Sequence, residues 1–203
     1  DLTFLTNPNA PSGTLISPRQ VKELARSLSG ILVVDEAYMD FAEVNCLHLI
    51  DSCDNVVVTR TLSKSYSLAG LRFGFAVANE DLVTGMLKVK DSYNVSSPAL
   101  AGARAAIADQ QHVQANVDKI VATRGYLLAQ LRELGFYCWP SQTNFVLARV
   151  PHPHEARNVF EELFNQKILV RYFDEPRLDD CLRITVGTGE EIDALLTTLQ
   201  KIM

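Results

Sequence analysis

Short unbroken apolar runs alternate along the chain with stretches of helical periodicity, and clusters of turn formers separate them. Leu2 to Thr6 predicts a strand that runs into Asn7-Pro-Asn-Ala-Pro-Ser-Gly13, a dense turn-forming cluster. A helix follows: Ser17, Pro18 and Gln20 supply an N-cap, a proline at the first helical position and a capping-box partner. Val21, Leu24, Ala25 and Leu28 then recur with helical period until Gly30. The aliphatic run Ile31 to Val34 has the pattern of a strand buried on both faces, and it ends at Asp35 and Glu36. Val56 to Thr59 repeats it and ends in Arg60-Thr-Leu-Ser-Lys64, with a further strand over Phe73 to Ala78. Strand, helix, strand, connection, strand is the order of an α/β sheet.

From Pro98 to about Leu134 the chain is rich in Ala, Leu, Val and Gln, interrupted only by Gly102 and Gly125, which predicts one long bent helix or two abutting ones. Beyond Gly135, strands are expected over Asn144 to Arg149, Ile168 to Tyr172 and Leu182 to Val186, framing a helix around Val159 to Phe164. A last helix follows Thr188, which can form a capping box with Glu191 ahead of Ile192, Leu195, Leu196 and Leu199. A domain boundary is expected near Asp109, separating residues 1–108 from a smaller α+β domain over residues 109–203.

Composition narrows the function classes. With 203 residues, 47% of them hydrophobic, the chain can bury one sizeable core or two modest ones. Its 19 basic and 24 acidic residues leave a formal charge of −5 with no basic run, so neither nucleic acid nor an acidic membrane face is expected as a partner. The apolar stretches fall far short of the roughly 20 residues of a membrane helix. Cys46, Cys53, Cys138 and Cys181 lack zinc-ribbon spacing and disulfide density, so reduced thiols and a cytoplasmic setting are expected. His152 and His154 have no cysteine or carboxylate at ordered spacing, and no metal site is expected. The opening at Asp1 shows no basic or apolar leader, and the abrupt start suggests that an amino-terminal portion has been removed.

In open α/β sheets ligands collect outside the carboxyl ends of the strands, where Asp35, Tyr38, Thr61, Ser63 and Lys64 fall. A lone strand-end Asp is more often a turn residue and a lone Lys is more often solvated surface. Together they match a specific need. Pyridoxal phosphate requires an amine to hold its aldehyde as a Schiff base and a carboxylate to keep its ring nitrogen protonated. Lys64 and Asp35 fit those roles. The hydroxyls of Thr61 and Ser63 and the fork of Arg72 could bind a phosphate, and Tyr38 could donate to the phenolate oxygen.

The run Arg60-Thr-Leu-Ser-Lys-Ser-Tyr-Ser-Leu-Ala-Gly-Leu-Arg-Phe-Gly-Phe75 resembles the Schiff-base lysine motif of class I/II aminotransferases, in the form found in histidinol-phosphate aminotransferases. Asp35-Glu-Ala-Tyr38 resembles that family's ring-nitrogen motif, and Asn7 to Gly13 its Asn-Pro-Asn-x-Pro-x-Gly loop. The likeness continues through Tyr93-Asn-Val-Ser96, Thr143-Asn-Phe145 and Leu182-Arg-Ile-Thr-Val-Gly187, so it covers nearly the whole chain. The resemblance implies the α/β fold type I aminotransferase architecture: a mostly parallel large-domain sheet, incomplete here, with a smaller carboxy-terminal domain.

It also implies roles. Lys64 would hold pyridoxal phosphate and shuttle the proton at the substrate carbon, Asp35 would pair with the ring nitrogen, Tyr38 with the phenolate oxygen, and Thr61, Ser63 and Arg72 with the phosphate. Arg183 matches the arginine that holds the substrate carboxylate, Arg171 would be a second anion contact, and Asn144 would meet the substrate. The implied reaction is amino transfer between L-histidinol phosphate and 2-oxoglutarate, by a homodimer to which Tyr93 and Asn94 contribute across the interface. Rival expectations are an aminotransferase for aromatic or aliphatic amino acids, a phosphothreonine-type decarboxylase, and a non-catalytic fragment or cofactor-sensing module.

Two departures stand out. Ala10 occupies the place of the family Asn that contacts the phenolate oxygen, which leaves Asn9 or Asn7 to substitute. The family's amino-terminal half, with a phosphate-binding turn and the aromatic that stacks on the cofactor ring, is not matched. The chain is therefore expected to be the carboxy-terminal part of an enzyme.

Overall fold

The computed structural model describes residues 1–203, which divide into two compact units. The first comprises Asp1–Ala10 and Leu15–Val117, the second Pro11–Thr14 and Asp118–Met203.

Four strands form the sheet of the first unit: β1 (Leu2–Thr6), β2 (Ile31–Asp35), β3 (Val56–Thr61) and β4 (Gly74–Ala78), in that spatial order. The first three are parallel, with Thr6 opposite Asp35 and Asp35 opposite Thr59. β4 runs antiparallel to β3, which makes the sheet mixed. Gly74 permits that approach, because a Cβ there would stand 2.9 Å from the Arg60 carbonyl oxygen.

Helix α1 (Pro18–Ser27) begins with the predicted capping box: the Ser17 hydroxyl accepts from the Gln20 amide, and the Gln20 side chain accepts from the Ser17 amide. Its Val21 and Ala25 pack on Leu32, Val34, Val56 and Val58, and Cys46, Leu49 and Cys53 complete this core. The run Ile31 to Val34, expected to be buried on both faces, instead alternates: Leu32 and Val34 are buried, Ile31 and Val33 only partly. The reason is one-sided cover. On the opposite face Leu2 and Phe4 of β1 are 64% and 71% exposed. Helices α2 (Glu80–Val89) and α3 (Ser97–Ala108) follow β4, and α4 (Gln110–Glu133) begins two residues after α3 ends, so the long helical stretch is two abutting helices.

The second unit is an antiparallel sheet, in the order β5 (Tyr137–Cys138), β6 (Phe145–Arg149), β8 (Cys181–Thr185) and β7 (Arg171–Tyr172). Its core sets Val146, Ala148, Leu182 and Ile184 of the sheet against Leu127 and Leu131 of α4. Val159 and Leu163 of α5 (Ala156–Asn165), with Leu195, Leu196 and Leu199 of α6 (Gly189–Ile202), close it. Strand alternation sends Phe145, Leu147 and Arg183 to the other face. The strand expected over Ile168 to Tyr172 is shorter: the Ile168 amide closes the end of α5 by donating to the Leu163 carbonyl, and only Arg171 and Tyr172 join the ladder. Residues 11–14 belong here because the Gln142 amide donates to the Gly13 carbonyl; Gly13 sits at φ +77°, where a Cβ would stand 2.8 Å from Ser141 Oγ. The Thr188–Glu191 capping box opens α6 as predicted, and the hydrogen bonds from Thr188 hold the Glu191 carboxyl below the usual range. No helix is long and apolar enough to cross a membrane.

Candidate active site

In the first unit the parallel ladder carries three strand ends to one edge. The Asn7 amide donates to the Asp35 carbonyl and the Glu36 amide to the Thr59 carbonyl, both at 2.9 Å, so the pairing persists to the point where the strands stop. Asp35 and Thr59 stand opposite each other on the face away from the α1 core. One carboxylate oxygen of Asp35 accepts from the Ala37 amide at 3.0 Å; the other takes no hydrogen bond within the chain.

Lys64 sits in the turn after β3. The turn is built locally: Leu62 is 1% exposed and anchors it, Thr61 Oγ1 accepts from the Ser63 amide and donates to the Ser63 hydroxyl, and the Ser67 amide donates to the Lys64 carbonyl. With Leu62 and Ser65 facing inward, Lys64 is left exposed. Its Nζ lies 5.2 Å from the centre of the Tyr38 ring and forms no hydrogen bond or ion pair. The structure thus brings Lys64 and Tyr38 together, on segments that follow the paired strand ends of β3 and β2.

Arg72 closes the same turn in the left-handed region, at φ +53°, an uncommon conformation for a side chain of this size. One of its donors is taken by the Ala69 carbonyl at 2.9 Å, and the rest of its fork is exposed. Of the two candidates for the family Asn, the side chain of Asn7 is committed elsewhere. It is buried, donates to the Ile16 carbonyl and accepts from the Ile16 amide, which pins the 8–16 loop. Asn9 is half-buried and is the remaining candidate.

The residues around this edge include a supporting layer that the motif reading does not single out. Glu36 follows Asp35 and, by strand alternation, points to the core side. There it is 3% exposed, and one oxygen accepts from Arg60 Nε at 3.0 Å and Nη2 at 2.8 Å while the other accepts from the Cys46 amide. This pair ties the ends of β2 and β3 together from behind. Burial and the Glu36 charge push the Cys46 thiol up to about 11, so Cys46 is an inert core thiol. The buried Ser65 hydroxyl donates to the Asp40 carboxylate, fastening the lysine turn to the segment that carries Tyr38.

In the second unit Asn144 lies on a rigid loop. Ser141 Oγ and Thr143 Oγ1 both donate to the Phe145 carbonyl, Arg124 donates to the Thr143 carbonyl at 2.7 Å, and the Asn144 carbonyl accepts from Val186. Arg171 and Arg183 are directly opposite across the β7–β8 ladder, and neither forms an ion pair or donates a hydrogen bond within the chain. Tyr93 is 99% exposed at φ +57°, and Asn94 accepts from Lys90.

Residues 1–199 match the family model described as aminotransferase class I and II. The chain is 48% identical over 202 residues to histidinol-phosphate aminotransferase 1 of Nostoc sp., covering 100% of this chain and 57% of that protein. It is 48% identical over 201 residues to histidinol-phosphate aminotransferase of Citrifermentans bemidjiense, covering 99% and 57%. Among solved structures, histidinol-phosphate aminotransferase from Sinorhizobium meliloti in complex with pyridoxal-5'-phosphate superposes with a TM-score of 0.88 at 27% identity, over 100% of this chain and 58% of that one. The chain thus spans a little over half the length of the relatives it matches.

Removing one partner of a buried ion pair strands the other. Glu36→Ala is therefore expected to lower unfolding free energy by about 3–5 kcal/mol, with replacement of Glu36 and Arg60 together by apolar residues costing less. Urea denaturation of the single and double variants measures this; a Glu36→Ala cost below about 1 kcal/mol would contradict the tie between β2 and β3.

Proposed function

The chain belongs to the class I and II aminotransferase family, and from that membership we propose that its polypeptide catalyses pyridoxal-phosphate-dependent amino transfer from L-histidinol phosphate to 2-oxoglutarate, giving imidazole acetol phosphate and glutamate in histidine biosynthesis. The observation that carries the reading is an amine without hydrogen bond or ion pair, Lys64, lying over the Tyr38 ring at the edge where Asp35 ends its strand. The histidinol-phosphate aminotransferases of Nostoc and Citrifermentans support the donor, and the pyridoxal-5'-phosphate bound in the Sinorhizobium enzyme supports the cofactor.

The donor set of the first unit fits the group. An unpaired amine can condense with an aldehyde, a carboxylate with one open oxygen can accept from a protonated ring nitrogen, and hydroxyl and guanidinium donors can meet a phosphate. When bound, pyridoxal phosphate supplies an electron sink for negative charge on the substrate carbon.

Each residue then has a defined task. Lys64 would hold the cofactor through its Nζ, and the same amine would carry the proton at the carbon that bears the substrate amino group. Asp35 would pair with the ring nitrogen. Tyr38 donates to the phenolate oxygen, with Asn9 as its companion where the family Asn is replaced by Ala10. Thr61, Ser63 and Arg72 would hold the phosphate. In the second unit, Arg183 and Arg171 take the anionic group of the substrate and Asn144 contributes a further polar contact. The enzyme is a cytoplasmic homodimer in this reading, and the fully exposed Tyr93, with Asn94, is offered to the partner.

Adding L-histidinol phosphate to the whole polypeptide loaded with pyridoxal phosphate should abolish the visible band of the lysine-bound cofactor, and 2-oxoglutarate should restore it. An unchanged spectrum rejects the reading, and release of carbon dioxide from phosphothreonine would replace it with a decarboxylase. Sedimentation of the same protein should give a dimer; a monomer at every concentration would remove the role of Tyr93 and Asn94.

A further inference from the structure

Like charges placed directly opposite each other on antiparallel strands repel, whereas opposite charges there attract. Arg171 and Arg183 are such a like-charged pair: they are cross-strand partners on β7 and β8, so both stand on one face of the sheet. No carboxylate compensates them within the chain.

What the fold supplies instead is aromatic. The guanidinium carbon of Arg183 lies 5.0 Å from the Phe145 ring centre and 5.6 Å from that of Phe173, and the guanidinium carbon of Arg171 lies 5.3 Å from the same Phe173 ring. Phe173 is thus the aromatic ring that lies within cation–π range of both guanidinium groups. A ring attracts a cation through its quadrupole and uses none of its N–H donors. Both forks keep their full set of donors for a ligand, which carboxylate partners would have consumed. Phe145 is 2% exposed on β6 and belongs to the sheet, whereas Phe173 stands just past the end of β7 and is only half-buried. Phe173 is not among the side chains that form or pack against the core of the second unit.

We propose that Phe173 is a positioning residue for substrate specificity: it draws the Arg171 and Arg183 guanidinium groups onto one ring, so that both are preorganised to grip a single anionic group of the substrate. The inference rests on the assignment of those arginines to the substrate anion. Leucine at this position would fill similar space but offer no quadrupole, so the two cations would separate into solvent and the anion would have to gather them. The loss falls on binding rather than on the chemical step.

The test uses the whole polypeptide loaded with pyridoxal phosphate. Phe173→Leu should raise the KM for L-histidinol phosphate about tenfold, within the range of a cation–π contact, with kcat changed by less than about twofold. It should weaken competitive inhibition by inorganic phosphate by the same factor, and Phe173→Tyr should restore both. L-Histidinol, which carries no anionic group, should be turned over by the Leu variant as by the parent. Unchanged phosphate inhibition in Phe173→Leu, failure of Phe173→Tyr to restore it, or an equal loss with L-histidinol overturns the proposal. Arg171→Leu and Arg183→Leu distinguish the role of Phe173 from that of the arginines. If they weaken phosphate inhibition while Phe173→Leu does not, only the role of Phe173 falls; if they too have no effect, the arginine assignment falls with it.

Discussion

The parallel pairing of β2 with β3 is the constraint from which the rest follows. In a parallel pair both strands deliver their carboxyl ends to the same edge, so the carboxylate that ends one and the lysine turn that follows the other become neighbours by topology. The Asp35 face and the Glu36 face then divide the labour. Alternation along β2 turns Asp35 outward with one oxygen unused and turns Glu36 into the core, where Arg60 and the Cys46 amide saturate it. A one-residue slip of register would exchange the two and leave a charge buried without a partner.

In both units a few cationic groups stand without hydrogen-bond or ion-pair partners in a structure that satisfies its buried polar atoms elsewhere. No buried side-chain nitrogen or oxygen lacks a hydrogen bond. Against that background, the Lys64 amine and the Arg171 and Arg183 forks are held by ring faces alone. Contacts of this kind fix the direction of a cation without occupying its donors, which suits groups that must meet an aldehyde or an anion.

Much of this was legible in the sequence, for identifiable reasons. The capping boxes at Ser17 and Thr188 marked two helix starts correctly because each is a local hydrogen-bond exchange. The motifs around Asp35 and Lys64 pointed to strand ends because apolar runs stop there. The direction of β4 was not read, although the connection from Thr61 to Gly74 is short and carries no full helix, which favours an antiparallel return. Helix α2 was missed although Asn79, followed by Glu80 and Asp81, supplied an N-cap and an acidic first turn as a signal. The Glu36–Arg60 tie, the Ser65–Asp40 contact and the opposition of Arg171 to Arg183 depend on register and tertiary packing, which composition and spacing do not carry.

The central claim is that Lys64 is the amine that binds the cofactor. Borohydride reduction of the loaded whole polypeptide, followed by proteolysis and peptide mass mapping, tests it most directly. The account predicts a phosphopyridoxyl group on the peptide that contains Lys64 and on no other. The same group on a different lysine, or its absence from every peptide, would contradict it.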